Sequence, residues 1–108
     1  MKEITAYIGK HKLGAVIRTL HKVDGLTGIS ILDCRGYGRG LVTAADPESE
    51  FHPRVKLELI CHDELIDLVV SAIEKAAHTG LKGDGKIYVS PIENAVRIST
   101  GERGEGAV

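Results

Sequence analysis

One short stretch of the chain combines glycines and lysines in a pattern that suits phosphate binding. Gly80, Gly83 and Gly85 stand beside Lys82 and Lys86. Glycines allow backbone N–H groups to turn towards an anion, and lysines add positive charge. The stretch follows a predicted helix and lacks the GK[ST] ending, so it is not a P-loop. On spacing alone a flexible turn fits equally well, and both interpretations stay open.

A second glycine-rich segment, Gly36-Tyr37-Gly38-Arg39-Gly40, opens a long connection. Alternating glycines permit close approach of the backbone to a ligand, and Arg39 could bind a phosphate. The same glycines would also serve as the hinge of a mobile loop, and the two roles are compatible. Arg97 is a further cation on a predicted strand, where a solvated side chain is the commoner case.

The sequence contains no recognisable metal or catalytic pattern. The five histidines form no HxH or HExxH spacing, and Cys34 and Cys61 form no CxxC spacing. A metal site of His52, Cys61 or His62 would have to be assembled by folding. No nucleophile stands near a base and an orienting group. We therefore expect no cofactor, no enzyme activity and two reduced cysteines, as in a cytoplasmic protein.

Length and composition predict a single domain over residues 1–108. The net charge is −1, which argues against bulk electrostatic attraction to nucleic acid. Apolar residues follow helical spacing over Leu13–Leu20 and Leu65–Ala76. The predicted strands are residues 4–8, 27–35, 55–59, 86–90 and 95–99. The order βαββαβ predicts a ferredoxin-like α+β sandwich, with one antiparallel sheet and two helices on one face.

The connection from Gly36 to Pro53 is longer than a hairpin needs, and such loops are usually functional or disordered. This connection and the glycine- and lysine-containing stretch Gly80–Lys86 together suggest a resemblance to a known family. Thr79-Gly80-x-x-Gly83-Asp84-Gly85-Lys86-Ile87-Tyr88-Val89 closely resembles the P-II nitrogen-regulatory family. Supporting segments are Lys12-Leu13, Leu26–Gly28, Gly36–Arg39, Pro53–Lys56, Asp63–Leu65, Val96–Ile98 and Thr100–Glu105. Only the middle of the long loop lacks a counterpart.

The resemblance implies a homotrimer that binds ADP, AMP or ATP in clefts between subunits. Residues 79–86 would be the nucleotide loop. Residues of about 37–53 would be the T-loop, which engages a target protein such as a transporter or an enzyme. The residues that the resemblance assigns to the nucleotide are Ser30, Gly36, Gly38, Arg39, Ile60, Gly83, Asp84, Gly85, Lys86, Arg97 and Ser99.

The chain departs from the family pattern at several places. Gly40 replaces a glutamine that helps to hold magnesium and 2-oxoglutarate, and Arg54 replaces a lysine that pairs with the same ligand. Both positions are candidates for a second ligand. Ser99 replaces a second arginine, although Arg103 could supply that charge. Tyr37 stands at a phenylalanine position, and the loop is a few residues shorter and lacks the tyrosine that is uridylylated in some members.

We therefore expect a divergent P-II-like regulator that binds ADP or AMP at least as well as ATP. Its departures are compatible with the carboxysome-associated branch, which responds to bicarbonate. Three alternatives stay open: a metal-binding trimer like the copper-tolerance CutA family, a 2-oxoglutarate-type nitrogen regulator, and a slow nucleotide hydrolase.

Overall fold

A computed structural model describes residues 1–37 and 51–108 of the chain, with the side chains of Phe51 and His52 excepted. Short 3₁₀ turns precede both helices, at Lys10–Lys12 and Asp63–Leu65, and a third spans Gly104–Ala107. The strands and helices, in chain order, are β1 (Lys2–Gly9), α1 (Leu13–His21), β2 (Ser30–Tyr37), β3 (Phe51–Cys61), α2 (Ile66–Ala77) and β4 (Gly85–Pro91).

The four strands form one antiparallel sheet in the order β2-β3-β1-β4. Ile4 of β1 pairs with Leu59 of β3 on one side and with Val89 of β4 on the other. The two central strands are therefore separated in sequence by α1 and β2, as the split βαβ arrangement requires. The ferredoxin-like α+β prediction is confirmed.

Alternation along the central strands decides which face of the sheet is buried. Ile4 and Leu57 point to the side covered by the helices and are fully buried. The helices contribute Val16 and Leu20 of α1 and Val69 and Ile73 of α2, each pair four residues apart on one helical face. Thirteen residues make up this core: Ile4, Ala6, Ile8, Val16, Leu20, Val55, Leu57, Leu59, Cys61, Ile66, Val69, Ile73 and Ala77.

The opposite face of the sheet is open in the single chain. The rings of Tyr7 and Tyr88 meet edge to face with centroids 6.2 Å apart, and the Lys56 ammonium lies 5.8 Å from the centre of the Tyr7 ring. Lys56 also pairs with Glu58 at 2.8 Å. Leu32 and Tyr88 keep about half of their surface exposed, which is more apolar exposure than a covered sheet would leave.

The strands around the long connection extend further than the sequence indicated. β2 continues through Tyr37 rather than ending at Arg35, and β3 begins at Phe51 rather than near Val55. The last rung pairs Tyr37 with Phe51. Both ends of the predicted T-loop are therefore backbone-paired strand, because cross-strand hydrogen bonds continue where hydrophobic alternation has stopped.

The predicted strand at Ala95–Ser99 is wrong. Val96 forms only an isolated bridge with Arg103, and the chain between them turns back on itself. Arg97 N–H donates to the Glu102 carbonyl at 2.9 Å, and the Gly101 N–H donates to the Arg97 carbonyl at 2.8 Å. Gly101 adopts a φ of +75°, which an L-residue rarely takes. Arg97 therefore lies in a local turn and not in the sheet.

Ion pairs attach the C-terminal segment to one end of the sheet. The Met1 amine lies 2.9 Å from carboxylate oxygens of both Asp63 and Glu105, and His62 Nδ1 lies 2.8 Å from Glu105. The amine lowers the pKa of the Asp63 and Glu105 carboxyls, because hydrogen bonds from it favour their ionised forms.

The two cysteines are free thiols, as predicted, and burial raises the pKa of Cys61. Among the described residues, no helix has the length and apolar character needed to cross a membrane.

Candidate functional site

One group of predicted site residues lines a cleft at the end of the sheet where the long connection begins. Gly36, Arg54, Gly85 and Lys86 border a space of about 420 Å³, here called the Lys86 cleft. Arg54 and Lys86 are its cationic side chains on the open face of the sheet, and no acidic side chain is found among the described residues of its lining. Two positive charges around a concave surface favour an anionic ligand.

Residues 79–86, the predicted nucleotide loop, lie beside this cleft and are organised by the carboxylate of Asp84. This carboxylate accepts hydrogen bonds from the backbone N–H of Thr79 at 2.7 Å and of Gly80 at 3.2 Å, and from the Thr79 hydroxyl. These hydrogen bonds lower the pKa of Asp84 because they stabilise its ionised form, and the bond from the Thr79 hydroxyl has the largest effect. The Asp84 side chain thus holds its own loop closed, and the role towards phosphates that the resemblance assigned to this residue stays a prediction.

Gly85 is required by the way in which the loop joins the sheet. A Cβ at this position would lie 1.7 Å from the carbonyl oxygen of Tyr7, and φ is +111°. Only glycine allows β4 to begin against β1 at that distance. Gly85 therefore fixes where Lys86 leaves the loop and enters the cleft.

Arg54 connects the cleft with the nucleotide loop. It lies on β3 opposite Cys34 of β2, and its guanidinium donates a hydrogen bond from Nη1 to the carbonyl oxygen of Gly83. Its aliphatic part crosses Gly36, where a Cβ would lie 2.8 Å from Arg54 Cγ. The residue proposed for a second ligand thus contacts the nucleotide loop in this structure.

The other predicted residues line a separate cleft of about 720 Å³, here called the Arg97 cleft. Ser30, Ile60 and Arg97 lie on its wall, together with the acidic residues Glu3 and Glu58. The C-terminal residues close one side, where Arg97 Nη2 is 3.5 Å from the carbonyl oxygen of Val108. The lining is mixed in charge, unlike that of the Lys86 cleft.

Ser99 and Arg103 belong to the turn that follows Arg97, and both are exposed. The turn is held by Asn94, whose side-chain oxygen accepts hydrogen bonds from the Ala95 N–H at 2.9 Å and the Gly104 N–H at 3.1 Å. Sequence reasoning missed the roles of Asn94 and of Thr79. The available signal was residue type, since Asn, Asp and Thr side chains commonly bind nearby backbone in turns.

The two clefts are far apart within one chain. Arg54 and Ile60 lie on the same strand, and at about 3.3 Å per residue they are about 20 Å apart. Gly85 pairs with Ile8 near one end of β1, whereas Ile60 pairs with Glu3 near the other. The single chain therefore brings the predicted nucleotide residues together as two groups and does not unite them.

Three predicted residues, Gly38, Arg39 and Gly40, lie outside the described residues. Among the side chains that the structure describes, in residues 1–37 and 53–108, no group of three His, Cys, Asp or Glu is placed to hold a metal ion. His78 Nδ1 lies 3.5 Å from an Asp84 oxygen, but that pair belongs to the loop network described above.

Comparison with known proteins identifies the family. The family described as "Nitrogen regulatory protein P-II" matches residues 1–102. The chain belongs to this P-II family. Curated proteins with the same description are similar over the full length of both chains: 43% identical from Azospirillum brasilense, 44% from Rhodospirillum rubrum and 42% from Haemophilus influenzae. The alignments span 113 positions, five more than this chain contains.

Membership settles the broad class of function. The family and these relatives are named as regulatory proteins, so this P-II protein is a signalling regulator and not an enzyme. The slow-hydrolase alternative is set aside on that ground. The P-II match over nearly the whole chain also favours P-II over the metal-binding CutA family, which shares the fold.

Proposed function

We propose that this P-II protein is a homotrimeric regulator that binds an adenine nucleotide between neighbouring chains. The observation that carries the proposal is the separation of the predicted nucleotide residues into two clefts about 20 Å apart on one sheet. A second copy can bring its Arg97 cleft against the first copy's Lys86 cleft. Repeating that head-to-tail contact around a threefold axis gives a closed ring of three identical sites.

The charges of the two clefts assign the parts of the ligand. The Lys86 cleft presents Arg54 and Lys86, so it receives the phosphates. The Arg97 cleft contains Glu3, Glu58 and the apolar side chain of Ile60, so it receives the nucleoside, while Arg97 and the exposed turn that follows it reach the terminal phosphate. Exposed apolar side chains on the open face, among them Leu32 and Tyr88, supply surface for contact between subunits.

The loop between β2 and β3 is proposed to bind a target protein, either a transporter or an enzyme. The second ligand is proposed to be bicarbonate, since Gly40 offers no side-chain oxygen for the magnesium that supports 2-oxoglutarate. A nitrogen-linked, 2-oxoglutarate-type function is the second candidate, and the names of the relatives favour it.

Complementation between two inactive variants tests the shared site. Lys86→Ala disables the phosphate half and Arg97→Ala disables the other half, so each variant alone should lose most ADP binding. Any mixed trimer contains one site with both halves intact. Random mixing after co-refolding therefore restores about one quarter of the wild-type sites. No recovery, with mixed trimers demonstrated by native mass spectrometry, would place the whole site within one chain.

Calorimetry of the wild-type trimer identifies the ligands. ADP and AMP should bind at least as tightly as ATP, and bicarbonate should change the affinity for ADP, whereas 2-oxoglutarate with magnesium and ATP should not bind. Micromolar binding of 2-oxoglutarate would establish the second candidate instead. Arg18→Ala removes an exposed arginine of α1 and is the matched control for the single charge lost in Lys86→Ala and in Arg97→Ala.

A further inference from the structure

Arg54 joins the strands that carry the long loop to the loop that would hold the phosphates. The residue belongs to β3, close to the last rung between Tyr37 and Phe51. Its guanidinium, however, donates its hydrogen bond to Gly83 of the nucleotide loop. Gly83 is remote from β3 in sequence, so this bond joins two segments that the chain connects only through α2.

The rest of the nucleotide loop is held from two other sides. The Asp84 carboxylate binds Thr79 and Gly80 at the start of the loop, and Gly85 presses against β1 at its end. Gly83 lies between these anchors with a φ of +90°. The Arg54 bond holds the carbonyl at this point, and a charged donor makes it stronger than a neutral hydrogen bond.

Gly36 is what lets Arg54 reach the loop. It lies on β2 diagonally across from Arg54, and a Cβ there would approach Arg54 Cγ to 2.8 Å and Nε to 3.1 Å. Unlike Gly85, Gly36 has no left-handed backbone that demands glycine. Its small size therefore serves the passage of the arginine side chain.

We propose that Arg54 is a positioning residue that orders the nucleotide loop and couples it to the base of the β2–β3 hairpin. The role in coupling rests on the proposed nucleotide function, whereas the role in ordering the loop does not. In this arrangement a change at Gly83 moves Arg54, and Arg54 moves the strand that leads into the long loop. Gly36 is part of the same device because it keeps the path of Arg54 open.

Hydrogen exchange on the nucleotide-free trimer tests the ordering. Arg54→Ala should speed exchange of the peptide covering residues 79–86 about 5-fold, as expected for loss of an exposed hydrogen bond to a charged group. Peptides from β1 and α2 should not change, which separates local ordering from general destabilisation. Arg18→Ala is the control with the same charge removed at a distance. Unchanged exchange over 79–86 would overturn the proposal.

The glycine provides a second variant that keeps every charge. Gly36→Ala should speed exchange over 79–86 to the same extent as Arg54→Ala, and the double variant should show no further increase, because both changes break one contact. Additive effects would show that Gly36 acts without Arg54 and would refute that part of the proposal. Absence of ADP binding by the wild type would defeat the proposed function but would leave the exchange result standing.

Discussion

The Lys86 cleft and the Arg97 cleft differ in how much of their structure one chain completes. Around the Lys86 cleft the nucleotide loop is closed by Asp84, pressed on β1 at Gly85 and held by Arg54 at Gly83. Around the Arg97 cleft a turn held by the Asn94 side chain and by its own backbone leaves nearly all of the Ile98 side chain exposed, at 98%. The first region is organised before any ligand or neighbour arrives.

This difference indicates which half of the proposed site is rigid and which depends on assembly. An ordered phosphate loop binds an anion without a large cost of ordering. The turn after Arg97 exposes the apolar side chain of Ile98. A neighbouring chain that covers this turn would remove apolar surface from water. Four changes test the contrast, taken from the largest expected effect to the smallest.

Gly85→Ala should destabilise the chain most. The added Cβ would lie 1.7 Å from the Tyr7 carbonyl oxygen on a backbone with φ +111°, so β4 must separate from β1. Steric overpacking and left-handed strain together predict a loss of about 3 kcal/mol in the free energy of unfolding, measured with urea. Gly28→Ala, where a Cβ meets nothing within 4 Å, is the control. Equal stability of both variants would contradict the close approach.

Ser99→Arg should change ligand preference without changing the fold. It adds a cation to the exposed turn beside Arg97, and a hydrogen bond from a charged group to the terminal phosphate predicts about a 10-fold gain for ATP relative to ADP. Ile98→Arg places the same charge one position away and should not discriminate between the two nucleotides. Equal gains from both variants in calorimetry would reduce the effect to general electrostatics, and a wild type that already prefers ATP would point to Arg103.

Acidification should loosen the predicted nucleotide loop. Because the pKa of Asp84 is lowered in the folded chain, its bonds to Thr79 and Gly80 are fully present above the ordinary carboxyl pKa. They are lost as the pH falls through the lowered value. The amide resonance of Thr79 in NMR spectra should report this transition, and Asp84→Asn should remove it.

Asp67→Asn, at an exposed carboxyl on α2, is the matched control for that titration and should leave the Thr79 resonance unchanged. A Thr79 transition that persists in Asp84→Asn would contradict the assignment of the bond.

Ile98→Ser should have the smallest effect on stability. Its side chain is 98% exposed, so the free energy of unfolding should change by less than about 0.5 kcal/mol. Ile73→Ala, at a fully buried position of α2, should cost about 2–5 kcal/mol in the same experiment. A large loss from Ile98→Ser would mean that a neighbouring chain already covers the turn in the absence of ligand.

The sequence alone was sufficient for the architecture, and it predicted a nucleotide loop over residues 79–86. Alternation in Ile4–Ile8 and Val55–Leu59 and the two helical stripes reflect local burial, which a periodic pattern records directly. The stretch Gly83–Lys86 was recognisable because the backbone geometry there requires glycine, as at Gly85. The two alternating segments predicted a sheet with one buried face, and the structure has one.

Only the tertiary structure decided what depends on contacts between distant residues. β2 and β3 pair beyond their apolar positions, and Ala95–Ser99 alternates like a strand but bonds to its own return, because strand pairing is set by available partners. The sequence predicted that Asp84 contacts the nucleotide and that Arg54 contacts a second ligand. Folding directs Asp84 to Thr79 and Arg54 to Gly83, and it brings Arg97 beside Ile60 but Lys86 beside Arg54. Distances across a sheet are non-local, and residue spacing along the chain does not encode them.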